Sequence, residues 1–274
     1  LMAGAVILGS AAPFGAAFCA AVSDRQRPAA SAAALAGYLF SPAGMKLWNA
    51  VVVLMVWLIR WVIGSAPLFG KAAALPSALT FFGYGIVMVM MVLLGGADAY
   101  QMMLFFCEAL LASGAAYFFY RTLQLRHRSW DSLSRQETSC LAVTAALLVL
   151  AMMGLGVFGL SLGRLAALAA VLFFAYDYGE AGGAVAGICA GIVVVLWGGA
   201  ESYLFAAYSL GGMMAGLFFP ASRIVAALVY LFVMTAGVFL AGSTEYSPLW
   251  EAVIVTAVFL FLPPSALPVP KTQL

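Results

Sequence analysis

The chain has too few ionisable side chains to wet itself. It holds 12 Lys and Arg and 10 Asp and Glu in 274 residues, or 8% charged, where soluble domains carry roughly 25%. With 66% hydrophobic residues, a 28.7 kDa particle could not cover its surface with polar groups. That excludes an ordinary water-soluble domain, a disordered tail and a nucleic-acid binder. The expected solvent is the lipid bilayer, and the net charge of +2 says little about partners.

A spanning helix needs about 20 mostly apolar residues. Reading apolar runs against Pro, Gly and charge gives eleven candidate segments, roughly 1–22, 29–43, 46–64, 78–96, 98–121, 140–160, 163–177, 181–198, 202–219, 222–241 and 248–262. Lipid offers no partner to a free N–H or C=O, so helices are expected throughout. Runs such as Val51 to Ile59 lack the alternation of a β-barrel strand. The expected fold is an all-α polytopic transmembrane bundle of about ten spans over 1–262. The short segments 29–43, 163–177 and 248–262 leave room for tilted, half or re-entrant helices.

One substantial polar stretch, 121–139, carries Arg121, Arg126, Arg128 and Arg135 and is read as a cytoplasmic loop. Alternating from it places Arg25, Arg27, Lys71, Arg223 and Lys271 on the cytoplasmic side, with Lys46 and Arg164 on the other. Pro263, Pro264, Pro268 and Pro270 end the last helix, so 263–274 reads as a Pro-rich exit toward a further cytoplasmic region. Leu1 enters an apolar run with no charged n-region, as expected of a piece of a longer protein.

Catalytic chemistry finds little material. The single histidine, His127, lies in the polar stretch, which leaves nothing to build a histidine metal site or a Ser/His/Asp triad. Cys19, Cys107, Cys140 and Cys189 form no CxxC pair and read as small apolar residues. Gly154, Gly156 and Gly159 match GxGxxG, yet no strand precedes them, so helix packing or a helix end is the better reading. No catalytic, cofactor or metal site is expected in this chain.

Three charged residues fall inside apolar segments. Glu108 sits mid-segment and reads as a helix–helix clamp, with Arg60, Ser113 or Tyr117 as candidate partners. Glu251 lies near the start of its segment, where a helix dipole favours a carboxylate. Arg60, between Trp57 and Trp61, is placed to snorkel to the interface. Gly179, Gly183, Gly187 and Gly191 recur every four residues, and Gly212 and Gly216 repeat the spacing. Such a stripe without Cβ atoms lets another helix approach to backbone contact, within the chain or in a second copy.

Several stretches, in order, resemble one family. Pro13-Phe14-Gly15 lies in a first Pro-Phe-containing stretch, and Ala36-Gly37-Tyr38 in an Ala/Gly-rich second stretch ending Ser41-Pro42. Glu108 matches a mid-span Glu. The Gly ladder and Gly211 to Leu217 resemble a Gly-rich run closing in a small-Gly-Leu signature. Trp250-Glu251-Ala252 and Leu262-Pro263 resemble a last span with its Glu and terminal Leu-Pro. Together they are similar to the N-terminal membrane domain of the stage II sporulation protein E family, over nearly the whole chain. The chain departs from the family pattern in Ala3-Gly4-Ala5 and in having only Arg223 after the small-Gly-Leu run.

The resemblance implies ten spans and a cell-membrane location at the polar septum during sporulation, and the Gly ladder is the expected surface for internal packing or for self-association as a homo-oligomer. It implies a missing C-terminal phosphatase domain using manganese or magnesium. That domain would dephosphorylate an anti-anti-sigma factor, and a central region would link to the division protein FtsZ. The rival reading is a small-molecule transporter using Glu108 in a central pathway.

Overall fold

Pro and Ser punctuate the apolar runs, and several helices start at these residues, as at Pro13, Pro76, Ser222 and Pro248. The computed structural model describes residues 2–7, 11–40, 46–63, 74–94, 98–125, 134–198 and 202–263. Among them are ten α-helices: α1 (Phe14–Ala21), α2 (Arg27–Phe40), α3 (Lys46–Ile63), α4 (Leu75–Leu93), α5 (Ala99–Gln124), α6 (Arg135–Met152), α7 (Leu162–Gly198), α8 (Tyr203–Phe218), α9 (Arg223–Leu240) and α10 (Ser247–Phe261). Pro76 and Pro248 sit in the first turns of α4 and α10, where a missing N–H costs nothing. Ser222 caps α9 by accepting from the Ile224 amide.

Two expected segments take a different form. Residues 1–22 do not make one span. A 3-10 turn, Met2–Gly4, and a bridge between Ile7 and Ala11 precede α1, which begins only after Pro13. Proline supplies no amide and clashes with the preceding turn, so the helix cannot extend back through it. The run 140–160 is helical only to Met152. A hairpin follows, β1 (Gly156–Val157) pairing with β2 (Leu160–Ser161). Phe158 and Gly159 both have positive φ, at 54° and 80°, as a two-residue hairpin turn of this hand requires. The GxGxxG match is thus the approach to a tight turn.

The polar stretch 121–139 is shorter as a loop than its composition suggests. α5 runs on to Gln124 and α6 starts at Arg135. Ser134 and Glu137 form a reciprocal cap: the Ser134 hydroxyl accepts from the Glu137 amide at 3.3 Å, and the Glu137 carboxylate accepts from the Ser134 amide at 2.9 Å. This Ser-x-x-Glu signature is visible in the sequence and marks the true helix start.

The chain divides into two compact units, Leu1–Ala151 and Met152–Leu274. In the first, α1 is the hub, packing on α2, α3, α4 and α5. Its residues are mostly Gly and Ala, and all but Phe18 are buried, which allows that many neighbours to crowd one short helix. In the second unit α8 packs on α7 and α9, and α10 packs on α7 and α9.

Burial is inverted relative to a soluble protein. Glu108, Glu251, Asn49 and Thr80 are fully buried, while Leu39, Trp61, Phe82, Phe232 and Leu240 are each more than 60% exposed. Only lipid tolerates that outer surface. α4, α5, α7 and α9 are long and apolar enough to cross a membrane.

Candidate functional site

The glycine ladder lies at a helix turn and a helix seam inside the second unit. At Gly179 the backbone of α7 leaves helical geometry, with φ 68° and ψ −150°, a region open essentially to glycine alone. A Cβ built on Gly183 would lie 2.9 Å from the Ala175 Cβ, eight residues back. Eight residues of straight helix span about 12 Å, so 162–178 and 180–198 fold back on each other at Gly179. α8 then lies against the ladder. A Cβ on Gly183 would meet the Gly212 carbonyl, one on Gly187 the Tyr208 carbonyl and Ser209 Cα, and one on Gly191 the Phe205 Cα. From the other side, Gly212 faces the Gly183 carbonyl and Gly216 faces Gly179 and the Glu180 amide. All six ladder glycines therefore serve an internal α7–α8 seam, where backbone touches backbone.

Glu108 clamps the break before α1. It is fully buried, and its Oε1 accepts from the Ala12 amide at 3.0 Å. The Tyr38 hydroxyl donates to the Ala12 carbonyl at 2.8 Å. Both polar groups of Ala12 are thus held by side chains from α5 and α2. Gly15 makes this possible, since a Cβ there would come within 2.5 Å of the Tyr38 oxygen. Asn49 stands beside the same carboxylate and accepts from the Tyr84 hydroxyl at 3.3 Å. The sequence suggested Arg60, Ser113 or Tyr117 as partners of Glu108. Instead, Ser113 bonds the Leu110 carbonyl and Tyr117 accepts from Arg121.

Arg60 does not snorkel. It is only 6% exposed, and its Nη1 donates to the carbonyls of Cys19, Ala20 and Val22 at 3.2, 2.8 and 2.7 Å. Its Nη2 donates to Asp24 at 2.9 Å, and Asp24 also pairs with Arg27. Four carbonyls at a helix end lack intrahelical donors, and a buried end must find them elsewhere. Arg60 supplies donors to the Cys19 and Ala20 carbonyls of α1 and to that of its C-cap, Val22. Arg223 serves α10 in the same way, donating to the Phe259 carbonyl at 2.9 Å with its guanidinium over the Phe259 and Tyr176 rings.

Glu251 is not a helix cap. It lies in the second turn of α10, fully buried, and its Oε2 is 2.7 Å from Arg164 Nε. Its Oε1 accepts from the Ser161 amide at 2.7 Å, while Arg164 Nη2 donates to the Ser247 hydroxyl at 3.1 Å. One carboxylate thus ties α10 to the hairpin and to the start of α7. It also explains why Arg164 sits against the loop-charge bias: its charge is balanced by Glu251.

Cys19 and Cys140 are buried, whereas Cys107 and Cys189 face outward. Lys71, Arg126, His127, Arg128, Glu201 and Lys271, and the exit beyond Pro263, lie outside the described residues.

Apolar outer faces, buried charges closed on backbone groups, and a glycine seam define an all-helical membrane domain. Residues 1–268 match the family described as SpoIIE, N-terminal domain, and the chain belongs to that family. The matched region is the non-catalytic part. No curated protein and no solved structure matches the chain. The family assignment does not favour the transporter reading.

Proposed function

We propose that this chain is the multi-pass anchor, of about ten crossings, that holds a sporulation phosphatase on the cell membrane at the polar septum. The observation that carries this reading is how the interior polar groups are used. Glu108, Glu251, Arg60 and Arg223 are all bonded to backbone at helix breaks or ends. They stabilise an architecture, and the outer surface they leave is apolar.

Confinement to one membrane converts encounters in volume into encounters on a surface and raises effective concentration. The phosphatase region, with its manganese or magnesium, would then meet the phosphorylated anti-anti-sigma factor and FtsZ at one place. Self-association into a homo-oligomer would use the outward apolar faces, because α8 of the same chain already covers the glycine seam.

The test removes residues 1–268 from the full-length protein. The phosphatase is expected to leave the membrane fraction and lose septal focus in cells, while dephosphorylating its substrate at an unchanged rate when purified. Purified phosphatase that is inactive without the membrane domain, or truncated protein that still gathers at the septum, contradicts the anchor reading.

A further inference from the structure

The turn of the β1–β2 hairpin carries a residue that its own geometry disfavours. Phe158 holds φ at 54°, in the left-handed region where a bulky side chain is an outlier. Asn, Asp or Gly is the usual choice at that place in a two-residue turn of this hand. Burial does not offset the strain, because Phe158 is 100% exposed. Leu155 and Val157 beside it are exposed too, and from Met153 to Gly163 the only polar side chain is that of Ser161. A turn left in water would gain from polar residues, and this one has an apolar tip.

The base of the hairpin is fixed. The Ser161 amide donates to Glu251, the Ser161 hydroxyl donates to the Met153 carbonyl at 3.1 Å, and the Leu162 amide donates to the Leu155 carbonyl at 3.0 Å. A Cβ on Gly163 would lie 2.6 Å from the Met153 amide nitrogen, so the chain closes tightly below the turn. The Glu251 and Ser247 contacts set the hairpin at the end of the unit where α10 begins. Tyr246, Trp250 and, at the end of α9, Leu240 are exposed there, and Trp250 adjoins Glu251 in the chain. Trp and Tyr gather at the headgroup level of a bilayer. The tip thus continues the lipid-facing surface of α9 and α10 at the depth where that surface meets water. We propose that this hairpin is a wedge in the bilayer interface, with Phe158 and Val157 entering the boundary between headgroups and acyl chains. Water reaches that depth, so the turn's free backbone groups are hydrated while the ring meets hydrocarbon. A turn already rigid presents the ring without a cost of ordering it on insertion.

The test places a nitroxide label on Phe158→Cys in the full-length protein, reconstituted in phosphatidylethanolamine–phosphatidylglycerol vesicles. The outward-facing Cys107 and Cys189, and any reactive cysteine beyond this chain, are first replaced by alanine. Thr244→Cys, exposed between α9 and α10, serves as the aqueous control, and Leu228→Cys, outward on α9, as the lipid control. Collision rates are read with oxygen, which concentrates in lipid, and with a nickel chelate, which stays in water. The ratio of oxygen to nickel collisions at position 158 is expected to be about fivefold that at position 244 and to approach that at position 228. Nickel access equal to that at position 244 would put the tip in water and overturn the proposal. Low access to both reagents would show a protein covering the tip, and would overturn it as well. A second variant guards against a label that disturbs the turn. Phe158→Asn suits the left-handed backbone, so in detergent its Tm is expected to equal or exceed that of the wild type. A Tm lower by many degrees would mean that the ring packs inside the protein, against the proposal.

Discussion

Gly183→Leu is expected to leave no folded protein, whereas the same replacement at Gly85 or Gly114 is expected to leave stability nearly unchanged. All three glycines lie within helices of the same apolar chain, and helix propensity alone would favour leucine at each. What differs is the neighbour. A Cβ at Gly183 runs into the Gly212 carbonyl, while a Cβ at Gly85 or Gly114 meets nothing within 4 Å. Overpacking a core costs about 1–3 kcal/mol when side chains can shift, and more when the obstacle is backbone. Native domains have only about 5–15 kcal/mol in hand. Gly187→Leu and Gly216→Leu should behave like Gly183→Leu, because each also points at a backbone atom of the partner helix. Fluorescence-detected size exclusion in detergent, with a thermal ramp, reads the outcome. If Gly183→Leu stays monodisperse with an unchanged Tm and alters only oligomer size, the seam faces a second copy and the internal packing described here is wrong.

The second large effect is expected at Glu251. Glu251→Ala removes the partner of Arg164 and the acceptor of the Ser161 amide in one step. Breaking a buried pair by deleting one member costs about 3–5 kcal/mol, much of it from the charge left behind. The double variant Glu251→Ala, Arg164→Met should therefore recover part of the loss. Glu251→Gln should fall between, since its amide oxygen still accepts from Ser161 but leaves Arg164 without a counter-charge. Chemical or thermal denaturation of the wild type, of Glu251→Ala and Arg164→Met singly, and of the double variant forms the cycle that separates the pair from its parts. Additive losses, with the double variant the least stable, would mean that the two side chains do not interact.

The contrast between these sites explains what the amino-acid order revealed. The ends of α3, α5, α8, α9 and α10 were legible to within a few residues, because lipid forces long apolar runs to be helical and leaves Pro, Gly and charge at the ends. The break in α7 was legible too: the reading stopped one segment at 177 and began the next at 181, and the reversal falls at Gly179. The short α1 was not, because an Ala- and Gly-rich run looks the same whether it spans a membrane or becomes helical only after Pro13. Nor were the partners of the charged residues. Glu108 reaches back 96 residues to Ala12, and Glu251 reaches back 90 to Ser161. Local spacing carries no information about such pairs. The stretches that carry the family resemblance nevertheless meet in space: Gly15 with Tyr38, Ala12 with Glu108, and Gly216 with Gly179.

Alkaline carbonate washing of membranes from cells expressing the chain tests the central claim most directly. Helices that face lipid with Leu39, Phe82, Phe232 and Leu240 hold the chain through the hydrocarbon itself, so it is expected to stay entirely in the pellet until detergent is added. Recovery of folded, monodisperse chain in the detergent-free wash would contradict the account.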